Sequence, residues 1–205
     1  IMDYPTHAAT LPVAMIPNCA ATRHTHFTLD GSGPADLKAP KLEDWPEITW
    51  EVGAGTRRVN LDTVTETDVL DWQPGETILL SGKMLTGRDA AHKRIRDLFA
   101  EGKGLPEGVD LKGKFIYYVG PVDPVREEIV GPAGPTTATR MDGFTEMMLE
   151  KTGLLGMVGK AERGPAAIDA IRDHKAVYLM AVGGAAYLVS KAIRKSRVVA
   201  FEELG

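Results

Sequence analysis

The sequence predicts an α/β domain with a largely parallel central sheet, preceded by a loop-rich N-terminal segment. Short apolar runs alternate with amphipathic helical patterns four times in the second half of the chain, which is how helices come to cover a parallel sheet. The turns that join them carry glycine. Residues 1 to 44 show neither period: Pro5, Pro12, Pro17, Pro34 and Pro40 punctuate them, and His7, His24 and His26 crowd in.

Each element has its own signal. Ile48–Val52 alternates, Gly53–Thr56 breaks the pattern, and Arg58–Asp62 is extended again, which together read as an antiparallel pair. Pro74-Gly75-Glu76 turns into the apolar strand Thr77–Gly82. Arg88 to Glu101 then places Ala91, Ile95, Leu98 and Phe99 on one helical face. After the loop Gly102–Gly108, Lys114–Val119 is the strongest strand signal in the chain, dense in aromatic and β-branched residues. Helix Phe144–Lys151, strand Leu154–Val158, helix Pro165–Arg172, strand Ala176–Val182, helix Ala185–Ala192 and strand Arg197–Phe201 complete the series. No helix closes the pattern after the last strand, so the natural polypeptide is expected to continue beyond Gly205.

Composition excludes several function classes. The 205 residues, 43% hydrophobic and 25% charged, suffice for a proper core. A net charge of -4 gives no bulk attraction to nucleic acid or an anionic membrane. No apolar run approaches the roughly 20 residues of a membrane span, and Ile1–Pro5 lacks the basic-then-apolar order of a secretory signal, so a cytoplasmic location is expected. Cys19, the single cysteine, cannot form an intramolecular disulfide and is left as an inert thiol, a nucleophile or a metal ligand.

The chemistry concentrates in Gly131–Arg140. Two glycines and two prolines fix a turn, and Thr136, Thr137, Thr139 and Arg140 follow at once, just before a helix. One threonine could be a helix cap; the cluster exceeds what a cap uses. In open α/β sheets ligands bind at the carboxyl ends of strands. The loops Gly82–Asp89, Gly131–Arg140, Gly159–Gly164 and Gly183–Ala186 all occupy that edge, and their convergence brings Arg88, Thr136, Thr137, Arg140 and Lys160 into one pocket for a small polycarboxylate or a phosphate. Lys83 and Arg163 read as solvated surface charges. His24-Thr25-His26 reads as a surface pair without a third ligand. A dinucleotide fingerprint, a Walker loop and a serine nucleophile elbow are all missing.

Four segments resemble the class I, iron–sulfur fumarases in their C-terminal part, and the similar β-subunit of L-tartrate dehydratase. They are Asp3–Ala9, Ile16–His24, Ser81–His92 and Gly131–Arg140, so that the likeness spans nearly the whole chain. The resemblance implies a swivelling β/β/α-type catalytic domain at 45–205, with 1–44 the end of a cluster-binding domain or a linker. It implies a hydro-lyase that interconverts fumarate and S-malate, with a [4Fe–4S] cluster whose open iron acts as Lewis acid. By the same likeness Cys19 is a cluster ligand and His7 a general acid. Arg88, Arg140 and Lys160 contact substrate carboxylates, Thr137 is a hydrogen-bond partner, and Thr136 binds substrate and serves as base. A threonine hydroxyl is a poor base at neutral pH and needs help from its neighbours. A cuboidal cluster also needs three thiolates, and the chain has one cysteine. The expectation is therefore a fragment, catalytically silent alone, whose partners are fumarate or malate, a missing N-terminal cluster domain and a second copy in a homodimer. Tartrate-type dehydration, and a non-catalytic carboxylate-binding or assembly domain, are the competing readings.

Overall fold

The computed structural model describes residues 2–5, 10–13, 27–35, 52–124 and 127–204. The chain divides into two compact units, Ile1–Glu51 and Val52–Gly205. In the first, β1 (Met2–Pro5) runs antiparallel to β2 (Thr10–Val13), and β3 (Thr28–Leu29) antiparallel to β4 (Pro34–Ala35). The turn between β3 and β4 is held by Asp30, whose Oδ1 accepts from the Ser32 backbone N–H at 2.9 Å and from its hydroxyl at 2.6 Å.

The second unit is mixed α/β with parallel sheets. Its elements are β5 (Arg57–Asn60), α1 (Glu66–Leu70), β6 (Ile78–Ser81), β7 (Leu85–Thr86), α2 (Asp89–Ala100), β8 (Phe115–Tyr117), α3 (Asp142–Thr152), β9 (Gly156–Gly159), α4 (Pro165–Asp173), β10 (Val177–Met180) and α5 (Ala186–Ala192). A four-stranded sheet in the order β10-β9-β8-β7 is parallel throughout, and β5 pairs in parallel with β6. β8 is buried on both faces, as a central parallel strand must be. From one face Phe115, Tyr117 and Val119 pack with Leu61, Val69 and Leu155, against Val59 and Leu80 of the two-stranded layer and Val189 and Ile193 at the C-terminal end of the α5 segment. From the other, Ile116 and Tyr118 pack with Ile95 of α2, Met148 and Leu149 of α3 and Ala170 of α4. The strand period of two thus separates two cores, giving a two-stranded layer, a central sheet and a helical layer. Gly156 has to be glycine because a Cβ there would enter the Phe115 ring. α3 stops at Gly153, whose φ of 66° suits glycine and whose N–H donates to Leu149 O.

One expected strand is corrected, and another takes a parallel neighbour. Arg57–Asn60 is a strand and, among the described residues, pairs in parallel with β6; of the antiparallel partner expected for it, Ile48–Glu51 lies outside the described residues. The parallel pairing comes through α1, which makes β5–α1–β6 a crossover. Its start was legible: Thr65 accepts from the Asp68 N–H while the Asp68 carboxylate accepts from the Thr65 N–H, a capping box. Arg197–Phe201 forms no ladder. Val198 and Val199 remain exposed, and no described strand lies beyond β10 to pair with them. A β-branched run cannot be a strand without a partner.

Candidate functional site

Parallel pairing puts the carboxyl ends of β7, β8, β9 and β10 on one edge, and backbone hydrogen bonds carry the pattern past the strands. Gly87 N–H donates to Tyr117 O at 3.1 Å, which places Arg88 immediately before α2. Tyr118 N–H donates to Val158 O at 2.8 Å, and Tyr118 O in turn accepts from Thr136 N–H at 2.7 Å. Lys160 N–H donates to Thr136 O at 3.1 Å and Ala138 N–H to Lys160 O at 2.9 Å, so Thr137 and Lys160 form a parallel bridge. Ala181 N–H donates to Gly159 O at 2.7 Å. Thr136 and Thr137 are therefore laid against the ends of β8 and β9 as a short extension of the sheet.

The Gly/Pro turn before them is pinned rather than merely stiff. Ala133 N–H donates to Ala186 O at 3.0 Å, Gly131 N–H to Val122 O at 2.8 Å, and the Tyr117 hydroxyl to Ala133 O at 2.9 Å. A 3₁₀ turn, Ala138–Met141, then leads into α3 and carries Arg140. Thr137 occupies its cap position with no side-chain cap hydrogen bond, so its hydroxyl is not spent on capping. Among the described residues no hydrogen bond or ion pair engages the Thr136 or Thr137 hydroxyl, the Arg88 guanidinium or the Lys160 ammonium. The Lys160 stem runs toward Gly183, where an added Cβ would meet its Cδ at 4.0 Å.

The cations are placed by close approaches. A Cβ at Gly120 would lie 2.7 Å from Arg88 Cζ, so the guanidinium rests on a bare backbone two residues beyond the Tyr118 carbonyl that holds Thr136. Arg140 donates from Nε to Asp89 Oδ1 at 3.0 Å and from Nη2 to Asp89 Oδ2 at 2.8 Å, joining the 3₁₀ turn to the first residue of α2. The structure thus brings Arg88, Thr136, Thr137, Arg140 and Lys160 to one edge. His7 and Cys19, with His24 and His26, lie outside the described residues.

Arg163 is the correction among the cations: its side chain is 2% exposed, not a solvated charge. Nε donates to Asp142 Oδ1 at 2.6 Å, Nη2 to the Thr145 hydroxyl and Nη1 to Met157 Sδ at 3.7 Å, while the guanidinium faces the Tyr118 and Tyr178 rings at 5.6 and 5.1 Å. A guanidinium tolerates such burial when its N–H groups are met and aromatic faces replace water. The other Asp142 oxygen accepts from Gly164 N–H at 2.7 Å, fixing the start of α4 and with it the loop that follows Lys160.

His92 and Asp89 are the neighbours that sequence reasoning quoted within a motif and gave no role. His92 is buried; its ring Nδ1 lies 2.8 Å from Arg88 O, and a carbonyl only accepts, so Nδ1 carries the proton. Burial holds its pKa below the ordinary histidine range, and Nε2 has no partner among the described residues. Tyr118 stands edge-on to it at 5.4 Å. Burial also pushes the Tyr117 and Tyr118 phenols up to about 12, so neither is a base at neutral pH. The edge gathers cations and unspent hydroxyls.

A [4Fe–4S] cluster needs three thiolates. The chain's donor set does not complete such a site: Cys19 is its sole cysteine, and among the described residues no group of His, Cys, Asp and Glu could hold a metal ion. No helix of the described residues is long and apolar enough to cross a membrane.

Comparison with known proteins places the sequence in a family. The sequence family described as Fumarase C-terminus matches residues 31–205. The chain is 32% identical over its whole length to the aerobic class I fumarate hydratase of Salmonella typhimurium, covering 36% of that protein. It is 30% identical to fumarate hydratase 2 of Leishmania major, covering 37% of it. With the β subunit of L(+)-tartrate dehydratase of Escherichia coli it shares 34% identity over 67% of each chain. The chain thus spans little more than a third of the fumarate hydratases it matches. By its match over residues 31–205, this chain belongs to the fumarase C-terminus family.

Proposed function

We propose that this chain is the substrate-clamping part of an iron–sulfur hydro-lyase that interconverts fumarate and S-malate by reversible addition of water. The observation that carries the reading is the meeting of Arg88, Thr136, Thr137, Arg140 and Lys160 at one sheet edge, in a chain of the fumarase family. Arg88, Arg140 and Lys160 bind the substrate carboxylates through charge-assisted hydrogen bonds, and Thr137 adds a neutral donor. Thr136 binds beside them and acts as an alkoxide, its hydroxyl made more acidic by the surrounding cations and its proton first released to solvent; the alkoxide then takes the proton from the carbon next to the carboxylate. His7 returns a proton to the leaving water. When bound, the [4Fe–4S] cluster supplies Lewis acidity at the substrate hydroxyl; Cys19 is one of its ligands, and the remaining thiolates come from outside residues 1–205. Residues 1–44 belong to the cluster-binding part and 45–205 to the clamp. A homodimer in the cytoplasm completes the reading.

Fumarate stands before tartrate because the fumarate hydratases align over all of this chain and the tartrate subunit over 67% of it. The intact protein that carries this chain, reconstituted anaerobically with iron and sulfide, is expected to consume fumarate absorbance and form S-malate. A folded, cluster-loaded preparation that leaves fumarate unchanged, or that dehydrates only tartrate, would overturn the assignment.

A further inference from the structure

One carboxylate is ion-paired within the cationic edge. Asp89 follows Arg88 and meets Arg140 across 51 positions of sequence, with both of its oxygens engaged at 3.0 and 2.8 Å. A guanidinium has five N–H groups and two faces that can hold a carboxylate in a fork: Nε with Nη2, and Nη1 with Nη2. Asp89 takes the first face. We propose that Asp89 is a positioning residue, locking Arg140 by its Nε/Nη2 side so that the Nη1/Nη2 end is presented to a substrate carboxylate. This rests on the reading of Arg140 as a substrate contact.

The direction of control follows from what each partner is attached to. Arg140 rides on a single 3₁₀ turn with its side chain about half exposed, and an unheld guanidinium there would rotate among many rotamers. Asp89 opens the 12-residue helix α2. The start of that helix is clamped twice at Arg88 O, by the His92 backbone N–H at 3.0 Å and by the ring Nδ1–H at 2.8 Å, with the ring itself buried against Tyr118 and Phe144. A rigid carboxylate therefore aims a mobile cation. An ion pair this exposed adds little to stability, so its effect should appear in binding geometry. Asp89 also neutralises part of the charge on Arg140, and a pure competitor for the guanidinium would weaken substrate binding. The two roles have opposite signs in experiment.

The test is titration of S-malate, followed calorimetrically, into the intact protein and its Asp89→Asn, Asp89→Glu, Arg140→Ala and Asp89→Asn/Arg140→Ala variants, with the melting temperature of each. Asp89→Asn is expected to weaken binding about ten-fold with melting unchanged. Asp89→Glu is expected to recover part of the loss, KM to rise more than kcat falls, and Asp89→Asn to cost nothing further once Arg140 is gone. Equal or tighter binding in Asp89→Asn overturns the proposal. So does the same loss in the Arg140→Ala background, since Asp89 would then act only on the helix. Unchanged S-malate affinity in Arg140→Ala alone removes Arg140 from the site and takes the role of Asp89 with it, an outcome separate from either of the others.

Discussion

Replacing Gly120 with alanine should damage the clamp and spare the fold. An ideal Cβ at this position would stand 2.7 Å from Arg88 Cζ, 2.8 Å from Nε and 2.9 Å from Nη2. A comfortable non-bonded separation is about 3.5 Å or more, so the guanidinium must retreat by roughly 1 Å. It can do so cheaply, because Arg88 is exposed and its head group is the far end of a flexible side chain. Gly120 is not among the glycines with positive φ, so alanine fits its backbone. The change in stability should be within about 1 kcal/mol, with a small gain from the stiffer unfolded chain. The catalytic cost is larger: a misplacement near 1 Å can lower kcat/KM about 100-fold, and complete loss of a charge-assisted contact is worth about 1.5–3 kcal/mol. Thermal melting and S-malate titration on the same preparation separate the two. Wild-type affinity with unchanged melting would refute the placement of Arg88 in the clamp, and a large drop in melting temperature would show Gly120 to be structural.

Gly159→Ala gives the opposite contrast: its Cβ would meet Tyr118 Cδ2 at 2.9 Å, Ala138 Cβ at 3.0 Å and Thr136 O at 3.3 Å, in a core that cannot yield. Stability should fall by about 1–3 kcal/mol together with S-malate affinity, and an unchanged melting curve would contradict the packing. Asp142→Ala strands the buried Arg163 and should cost about 3–5 kcal/mol, read by chemical denaturation; a loss under about 1 kcal/mol would mean the pair is as inconsequential as a surface one. His92 is held neutral by burial, its folded pKa lying below the ordinary value of 6.5. The unfolded chain therefore gains a proton first, so stability should fall as pH drops below about 6.5, by at most about 1.4 kcal/mol per pH unit, and show no such contribution above it. His92→Phe removes that component, and identical slopes for the two proteins between pH 6.5 and 5 would count against it.

What the sequence made legible follows from how local its signals are. The strand at Phe115–Tyr117 and helices α2 to α5 carry their period within a few turns, and they lie within two residues of expectation at nearly every end. The cluster Thr136, Thr137, Arg140 with Arg88 and Lys160 followed from one topological rule, that parallel strands gather their ends on one edge. The failures are non-local. Arg58–Asp62 could be seen to be extended, but its parallel neighbour β6 is reached through α1, whose capping box is a four-residue signal easily passed over. Arg163 looked like any loop cation because Asp142 and Thr145, which bury it, lie 21 and 18 positions away. The Asp89–Arg140 fork spans 51 positions, and nothing in either segment announces it. The Val198-Val199 run shows the converse error, strong local propensity with no neighbour to pair.

The central claim is that three cations at this sheet edge hold the two carboxylates of one substrate. Its most direct measurement is the dissociation constant of S-malate for the intact protein and for Arg88→Ala, Arg140→Ala and Lys160→Ala, each shown to be folded. The clamp predicts that every one of the three binds about 10- to 100-fold more weakly. Wild-type affinity in all three would contradict it.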